Sequence, residues 1–245
     1  MSSPIPPKPA TLILVCCHAI YTSGPTRGLL ESEWLLAPFQ HGETPTFTQH
    51  IKTSLSLLTS SPSSILIFSG GPTRAETRRS EARGYLELCI ENEYWGILQE
   101  GRGLRERIAL EERALDSFQN LLLSIKLFQE KTGGWPGLVT IVSHAFKEAR
   151  FMELHFPALG WPRERVRFVG VDPEYMVAGN AEYDGERSEE VRRGERTYGY
   201  ECWEEDPLGE GGLLKGKRER RDPWGVGNDV EYPGEGEKWP WEEVS

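Results

Sequence analysis

Short apolar runs alternate with segments whose apolar residues recur at three- and four-residue spacing through the first 170 or so positions. Residues 10–17, Ala-Thr-Leu-Ile-Leu-Val-Cys-Cys, are almost uniformly apolar, as a parallel strand covered on both faces requires. Ile65–Phe68, Ile108–Leu110, Leu138–Val142 and Val166–Val169 repeat the pattern. Between them lie three helical stripes. The first is Phe47, Ile51, Leu55 and Leu58; the second is Ala82, Tyr85, Leu86, Cys89 and Ile90; the third is Leu115, Phe118, Leu122, Ile125 and Phe128. Ser60–Ser63 and Gly133-Gly134 punctuate the first and third. Phe146, Ala149 and Met152 predict a further helix that stops before Pro157. Strands alternating with helices predict an α/β fold, Rossmann-like and doubly wound, with a mainly parallel sheet and helices on both faces.

Residues 21–44 read as a long loop carrying Gly24, Pro25, Gly28, Pro38 and Gly42, the kind of segment that covers a site. After residue 176 the periodicity fades into an irregular C-terminal extension. Residues 206–245 hold eight Gly and four Pro, yet also three of the eight Trp, more aromatic content than a disordered tail carries. The expected organisation is a flexible N-terminus at 1–9, a domain at 10–175, an extension packing on it at 176–232, and a flexible tail at 233–245. On that division the Tyr198–Trp203 segment is buried, a cut at residue 196 destabilises the fold, and loss of 233–245 leaves stability nearly unchanged.

Length and composition narrow the class. A chain of 245 residues with 38% apolar content suits one α/β domain plus decoration. The net charge of −10 argues against general nucleic-acid or membrane-surface binding. No apolar run approaches the roughly 18 residues needed to cross a bilayer, so no membrane insertion is expected. Cys16, Cys17, Cys89 and Cys202 form no CxxC, and neither HExxH nor clustered carboxylates occur, so no metal is indicated. Free buried thiols fit a reducing compartment, and the expected location is cytoplasmic.

In open parallel sheets, ligands bind beyond the carboxyl ends of the strands. The most informative stretch follows the second strand: Ser69-Gly70-Gly71-Pro72-Thr73-Arg74, then the helix that Arg79-Ser80-Glu81-Ala82 opens. Strand, Gly-Gly turn and helix suit an anion, since glycines admit a ligand close to backbone N–H groups. A tight turn without a ligand is the plainer reading of Gly-Gly alone. The other strand ends add His18, Glu111 and Glu112, Ser143 and His144, and Asp172, with Lys147 and Arg150 in the helix after Ser143. His18 and His144 are candidate acid–base groups, with a structural histidine as the competing reading for each. Lys147 and Arg150 are candidates for holding phosphate or carboxylate, or else pair with surface carboxylates. Asp116 reads as a helix cap and Asn120 as a pocket residue. GxSxG and GxGxxG are both absent, so neither a serine hydrolase elbow nor a dinucleotide site is implied.

Three blocks together resemble the domain of unknown function 218 family, the SanA/YdcF-like proteins, over roughly residues 10–172. The first is Ile65-Leu-Ile-Phe-Ser-Gly-Gly71 followed by Arg79-Ser-Glu-Ala82. The second is Glu111 followed by Asp116-Ser117 and Asn120, where the family has Glu and then Asn-Thr-x-Glu-Asn. The third is Val142-Ser-His-Ala-Phe-Lys-Glu-Ala-Arg150, similar to the family's Thr-Ser-x-Phe-His-x-x-Arg, with Lys147 at the family's His. Residues 175–221 look like the extension of a fungal branch. The resemblance implies a Rossmann-like fold with a ligand cleft at the Gly-Gly loop, and a link to S-adenosylmethionine in bacterial relatives.

The expected function is binding of a small anionic metabolite, nucleotide or S-adenosylmethionine-like, by an enzyme of unassigned reaction. Gly70, Gly71, Thr73 and Arg74 would cradle the anion; Glu81, Glu111, Ser117 and Asn120 would order the pocket. His18, Ser143, His144, Lys147 and Arg150 would line the reactive end. A non-catalytic sensor using the same cleft is the competing class. The basic run Lys215-Gly-Lys-Arg-Glu-Arg-Arg221 reads as a loop neutralised by neighbouring carboxylates, with a nuclear signal or nucleic-acid patch as the alternative.

Overall fold

The computed structural model describes residues 10–98, 103–227, 230–232 and 238–242. Five strands, β1 (Thr11–Cys16), β2 (Ser64–Ser69), β3 (Ile108–Glu111), β4 (Leu138–Ser143) and β5 (Val166–Gly170), form one parallel sheet in the order β3-β2-β1-β4-β5. Helices α1 (Thr44–Ser60), α2 (Glu81–Glu91) and α3 (Ser117–Thr132) connect the first four strands. The chain therefore has the doubly wound α/β architecture that the alternating pattern predicts.

Alternate side chains of each strand feed two separate cores. Ile13, Val15, Leu66 and Phe68 pack against Phe47, Ile51, Leu55 and Leu58 of α1 and Ala82, Tyr85 and Cys89 of α2. Leu12, Leu14, Ile65 and Ile67 meet Phe118, Leu122, Ile125 and Phe128 of α3 on the opposite face. Ile90 departs from its stripe and is exposed. Asp116 caps α3 by accepting from the Gln119 N–H at 2.8 Å, and Gly133 closes it in a left-handed conformation.

Between β4 and β5 the expected helix runs on through Pro157, ending at Ala158. Its middle, Arg150–His155, is a π-helical turn immediately before the proline, which has no N–H to contribute to the helix ladder. The 21–44 segment is more ordered than a bare loop. Ile20–Tyr21 pairs antiparallel with Trp34–Leu35, and the Glu33 carboxylate accepts from the N–H groups of Thr26 and Gly28.

The extension is not irregular throughout. It forms α4 (Gly185–Glu195), a π-turn at Arg196–Tyr200, α5 (Glu201–Glu205) and α6 (Gly212–Arg220). Cys202, Trp203 and Leu214 join the α3-side core, with Trp203 stacked on Phe118 at 5.7 Å between centroids. The two π-turns lie against each other, joined by Arg150–Glu195 at 3.0 Å and by the Tyr200 hydroxyl, which donates to Glu153.

The expected flexible N-terminus at 1–9 lies outside the described residues. The expected flexible tail at 233–245 needs correction at residues 238–242. Trp239 and Trp241 are both 5% exposed, and their indole N–H groups donate to the carbonyls of Ala158 and Leu159. Trp241 also packs edge-on to Trp135 and Trp161. Pro240 lies in the turn between the two tryptophans, and the indoles supply the anchoring. We therefore expect removal of 233–245 to destabilise the protein. Trp241→Ala alone should cost about 3–5 kcal/mol, as for other buried tryptophans, and lower the melting midpoint by roughly 10 °C. Calorimetric melts of the full chain, the variant and the truncation measure this, and unchanged midpoints would mean the indoles are not anchored.

Candidate functional site

Strand order reverses at β1, whose neighbours β2 and β4 run on in opposite directions along the sheet. Connections therefore leave to opposite faces beyond the carboxyl ends of β1 and β4, and a crevice opens there. A cleft of about 380 Å³ occupies this place, within the range of small-molecule sites. Cys16, Cys17 and His18 line it from the end of β1, Ser143 from the end of β4, and Lys147 and Arg150 from the following helix. Thr73, Arg74 and Glu81 line it from the β2–α2 connection, and Asp116, Ser117 and Asn120 from the start of α3.

The Gly-Gly turn plays a different part from the one expected. The Gly70 N–H donates to the Glu111 carbonyl at 3.0 Å and the Gly71 N–H to the Ala114 carbonyl at 2.7 Å. The first amides of α2 are occupied too: Glu81 and Ala82 donate to the carbonyls of Gly71 and Gly70, and Arg83 to the Ser80 hydroxyl. A Cβ at Gly71 would lie 3.0 Å from the Ala114 carbonyl oxygen, and one at Gly70 2.8 Å from the Glu81 carboxylate. The glycines thus admit neighbouring protein, and their N–H groups are not available to an anion. Gly70, Gly71, Glu111 and His144 are not among the residues lining the cleft.

Glu111 acts from behind the wall. Its carboxylate accepts from the Ser69 hydroxyl at 2.5 Å and from the N–H groups of Arg113 and Ala114, while the Ser69 hydroxyl also lies 2.9 Å from Asn120 Oδ1. This clasp fixes the β3–α3 connection against β2. Burial raises the pKa of Glu111, and likewise that of Glu81, which accepts from the Thr73 hydroxyl at 2.7 Å.

His18 has neighbours on both ring nitrogens. Nε2 lies 3.4 Å from the Ser143 hydroxyl and Nδ1 3.4 Å from Lys147 Nζ. Burial first, and then the Lys147 charge, hold His18 well below the usual imidazole range. Burial, reinforced by Arg150, also lowers the pKa of Lys147. His144 lies behind this group, its ring 4.5 Å from that of His18 and stacked on Phe146. Burial keeps it neutral, so its 3.5 Å approach to Glu43 is not an ion pair. Asp172 lies at the helix start instead of in the cleft, accepting from the Phe146 N–H at 3.2 Å.

Six cationic side chains line the cleft: Arg74, Lys147, Arg150, Lys217, Arg218 and Arg221. Three have carboxylate partners. Arg150 pairs with Glu195, Arg218 with Asp116 at 2.9 Å, and Arg221 with Glu81 at 3.7 Å. Among the described residues no ion pair involves Arg74, Lys147 or Lys217. The basic run read as a neutralised loop is, from Lys215 to Arg220, part of α6. Leu214, Lys217, Arg218 and Arg221 follow three- and four-residue spacing, so the face that packs on Trp203 also delivers the cations. That spacing was the available signal. Phe39, Gln40 and Tyr198 also line the cleft, and their positions follow from tertiary contacts alone.

The uncharacterized protein YOR238W of Saccharomyces cerevisiae is 31% identical to this chain over 204 residues, covering 66% of this chain and 67% of the yeast protein. The chain belongs to the family of YOR238W. No family model matches the sequence, and no solved structure matches it. Kinship with a yeast protein fits the fungal-type branch expected from the sequence. Among the described residues no helix is long and apolar enough to cross a membrane, and no group of His, Cys, Asp and Glu is placed to hold a metal ion.

His155 supports the cleft from the core. It is fully buried, with Nε2 2.8 Å from the hydroxyl of the cleft residue Ser117, and burial followed by the Arg150 charge keeps its pKa well below 6.5. The unfolded chain takes up this proton near pH ~6.5 and the folded chain does not, so the stability it contributes is lost as pH falls below that value. We expect His155→Phe to reduce the loss of stability between about pH 6.5 and 5.5 by about 1 kcal/mol. Urea midpoints across that range measure the loss; equal losses would show His155 protonated in the fold.

Proposed function

We propose that the cleft binds a small anionic metabolite and is the active site of an enzyme acting on it. The observation that carries this reading is the convergence of six cationic side chains around the His18–Ser143 pair at the point where strand order reverses. Arg74, Lys147 and Lys217 bring charge that no described carboxylate pairs with, which suits phosphate or carboxylate in a partly desolvated site. Arg150 reaches the cleft with its guanidinium oriented by Glu195. The anion is held by side chains, with Thr73 and Arg74 contributing from the Gly-Gly connection and the glycines supporting them. A nucleotide or an S-adenosylmethionine-like molecule is the class of ligand.

The reactive end follows from the Lys147–His18–Ser143 chain. A Lys147 ammonium donates to His18 Nδ1 and leaves the imidazole proton on Nε2, facing Ser143 as a general acid. A neutral Lys147 accepts from Nδ1–H and frees Nε2 as a base toward the Ser143 hydroxyl. Burial lowers the Lys147 pKa, which brings the two states closer in energy. A ligand anion beside Lys147 favours the ammonium. The resemblance to the domain of unknown function 218 family supports the same cleft, with Lys147 at the family's His now touching His18. Four buried free cysteines fit the cytoplasm. The net charge of −10 and the inward placement of the α6 cations favour a small ligand over nucleic acid.

Titration calorimetry of the full chain with adenosine 5′-phosphate, ribose 5-phosphate and S-adenosylmethionine tests the reading. Native mass spectrometry of the purified protein looks for a ligand carried through. We expect Arg74→Lys and Arg150→Lys each to weaken phosphate-ester binding by ~1–3 kcal/mol, the scale of a charge-assisted hydrogen bond. The double variant should lose less than the sum if both grip one anionic group. Failure of every anion to bind would refute the reading. Turnover abolished by His18→Ala with binding retained identifies an enzyme, whereas a ligand bound without turnover by the wild type identifies a sensor.

A further inference from the structure

Two exposed aromatic rings stand in the cleft. Among the described residues, eight large apolar side chains are exposed, and the two that line the cleft are Phe39, 76% exposed, and Tyr198, 73% exposed. Neither belongs to a loose segment. Phe39 is the middle residue of a single turn, Pro38–Gln40, which Pro38 opens with its fixed φ. The buried Gln40 side chain locks that turn at both ends: its Oε1 accepts from the Ala37 N–H at 2.7 Å, and its Nε2 donates to the His18 carbonyl at 2.6 Å. The turn that carries Phe39 is thereby tied to the residue at the reactive end.

Tyr198 is placed with similar care. It lies in the π-turn Arg196–Tyr200, where the extra residue per turn changes the direction of the side chain. Its carbonyl accepts from Lys217 Nζ at 2.8 Å, so one cleft cation fixes the backbone beneath it. The preceding residues run back to Glu195, the partner of Arg150. Each ring is therefore tethered to a group that lines the cleft: Phe39 through Gln40 to His18, Tyr198 through Lys217. Apolar rings held in water on a locked backbone, at the mouth of a cationic cleft, are suited to stacking against a flat ligand group.

We propose that Phe39 and Tyr198 hold a planar ring of the ligand, so that the cleft takes a phosphate ester carrying an aromatic base in preference to a bare sugar phosphate. This rests on the anion-binding reading above and goes beyond it by assigning the second half of the ligand. The phosphate lies deep against Lys147 and the arginines, and the ring lies at the rim. Stacking on aromatic side chains discriminates weakly among bases, because every base presents a π-face. Selectivity is accordingly for the presence of a ring over its absence.

Calorimetry with the full chain compares adenosine 5′-phosphate with ribose 5-phosphate, which carries the same phosphate and sugar without the base. The expected result is at least tenfold tighter binding of adenosine 5′-phosphate. Phe39→Ala and Tyr198→Ala should each remove much of that advantage, and the double variant nearly all of it, with ribose 5-phosphate affinity unchanged. Phe39→Trp should retain it. Both side chains are exposed, and unchanged melting midpoints confirm that the variants remain folded. Equal affinities of the two esters for the wild type, or a ring advantage that survives in the double variant, overturn the proposal while leaving anion binding intact. Failure of both esters to bind overturns this proposal, and failure of every ligand tested overturns the anion-binding reading with it.

Discussion

Positive charge gathered at one edge of the sheet is the constraint around which the cleft is arranged. The reversal of strand order at β1 opens the crevice, and six cationic side chains enter it from three separate segments. Like charges in a confined, partly dry space repel one another strongly, and the fold opposes that in two ways. Glu195, Asp116 and Glu81 neutralise three of the cations. Lys147 is left among neutral imidazoles, and burial lowers its hold on a proton. Histidines 18, 50 and 144 crowd together behind it, and burial keeps all three uncharged. A charged imidazole there would add to the repulsion that the carboxylates relieve.

The clasp at Ser69, Glu111 and Asn120 connects this electrostatic arrangement to the sheet. It joins the edge strand, the neighbouring strand and the helix that brings Asp116 and Ser117 to the cleft. The Gly-Gly turn belongs to the same assembly, because both its amides donate to the β3–α3 connection. Gly70 and Gly71, which look like ligand contacts in a linear motif, serve here as part of the frame behind the cleft wall. Thr73 and Arg74, two and three positions past Gly71, are the part of the motif that reaches the cavity.

The parallel sheet was legible in the sequence because buried strands are uniformly apolar over several residues, a pattern few other local structures share. The site was half legible. His18, Ser143, Lys147 and Arg150 follow strand ends directly, so topology alone carries them to one edge. His144 follows the same strand end and was misplaced, because the chain turns after Ser143 and directs successive side chains to opposite sides. The extension was the least legible part. Its mean composition is polar, and α6 buries Leu214 as its sole fully packed side chain. Trp239 and Trp241 were obscured by surrounding Gly, Pro and Glu, since two indoles make no periodic pattern.

Half of the cleft's cations come from α6 and the residue just after it, in the last fifth of the chain. The sheet and its other helices are contributed by residues synthesised earlier. Without α6 the cavity is open on one side and short of three positive charges, and the α3-side core lacks Leu214. The cleft therefore acquires its full set of cations only when α6 docks on Trp203. Packing of the extension and completion of the cleft are thus a single event.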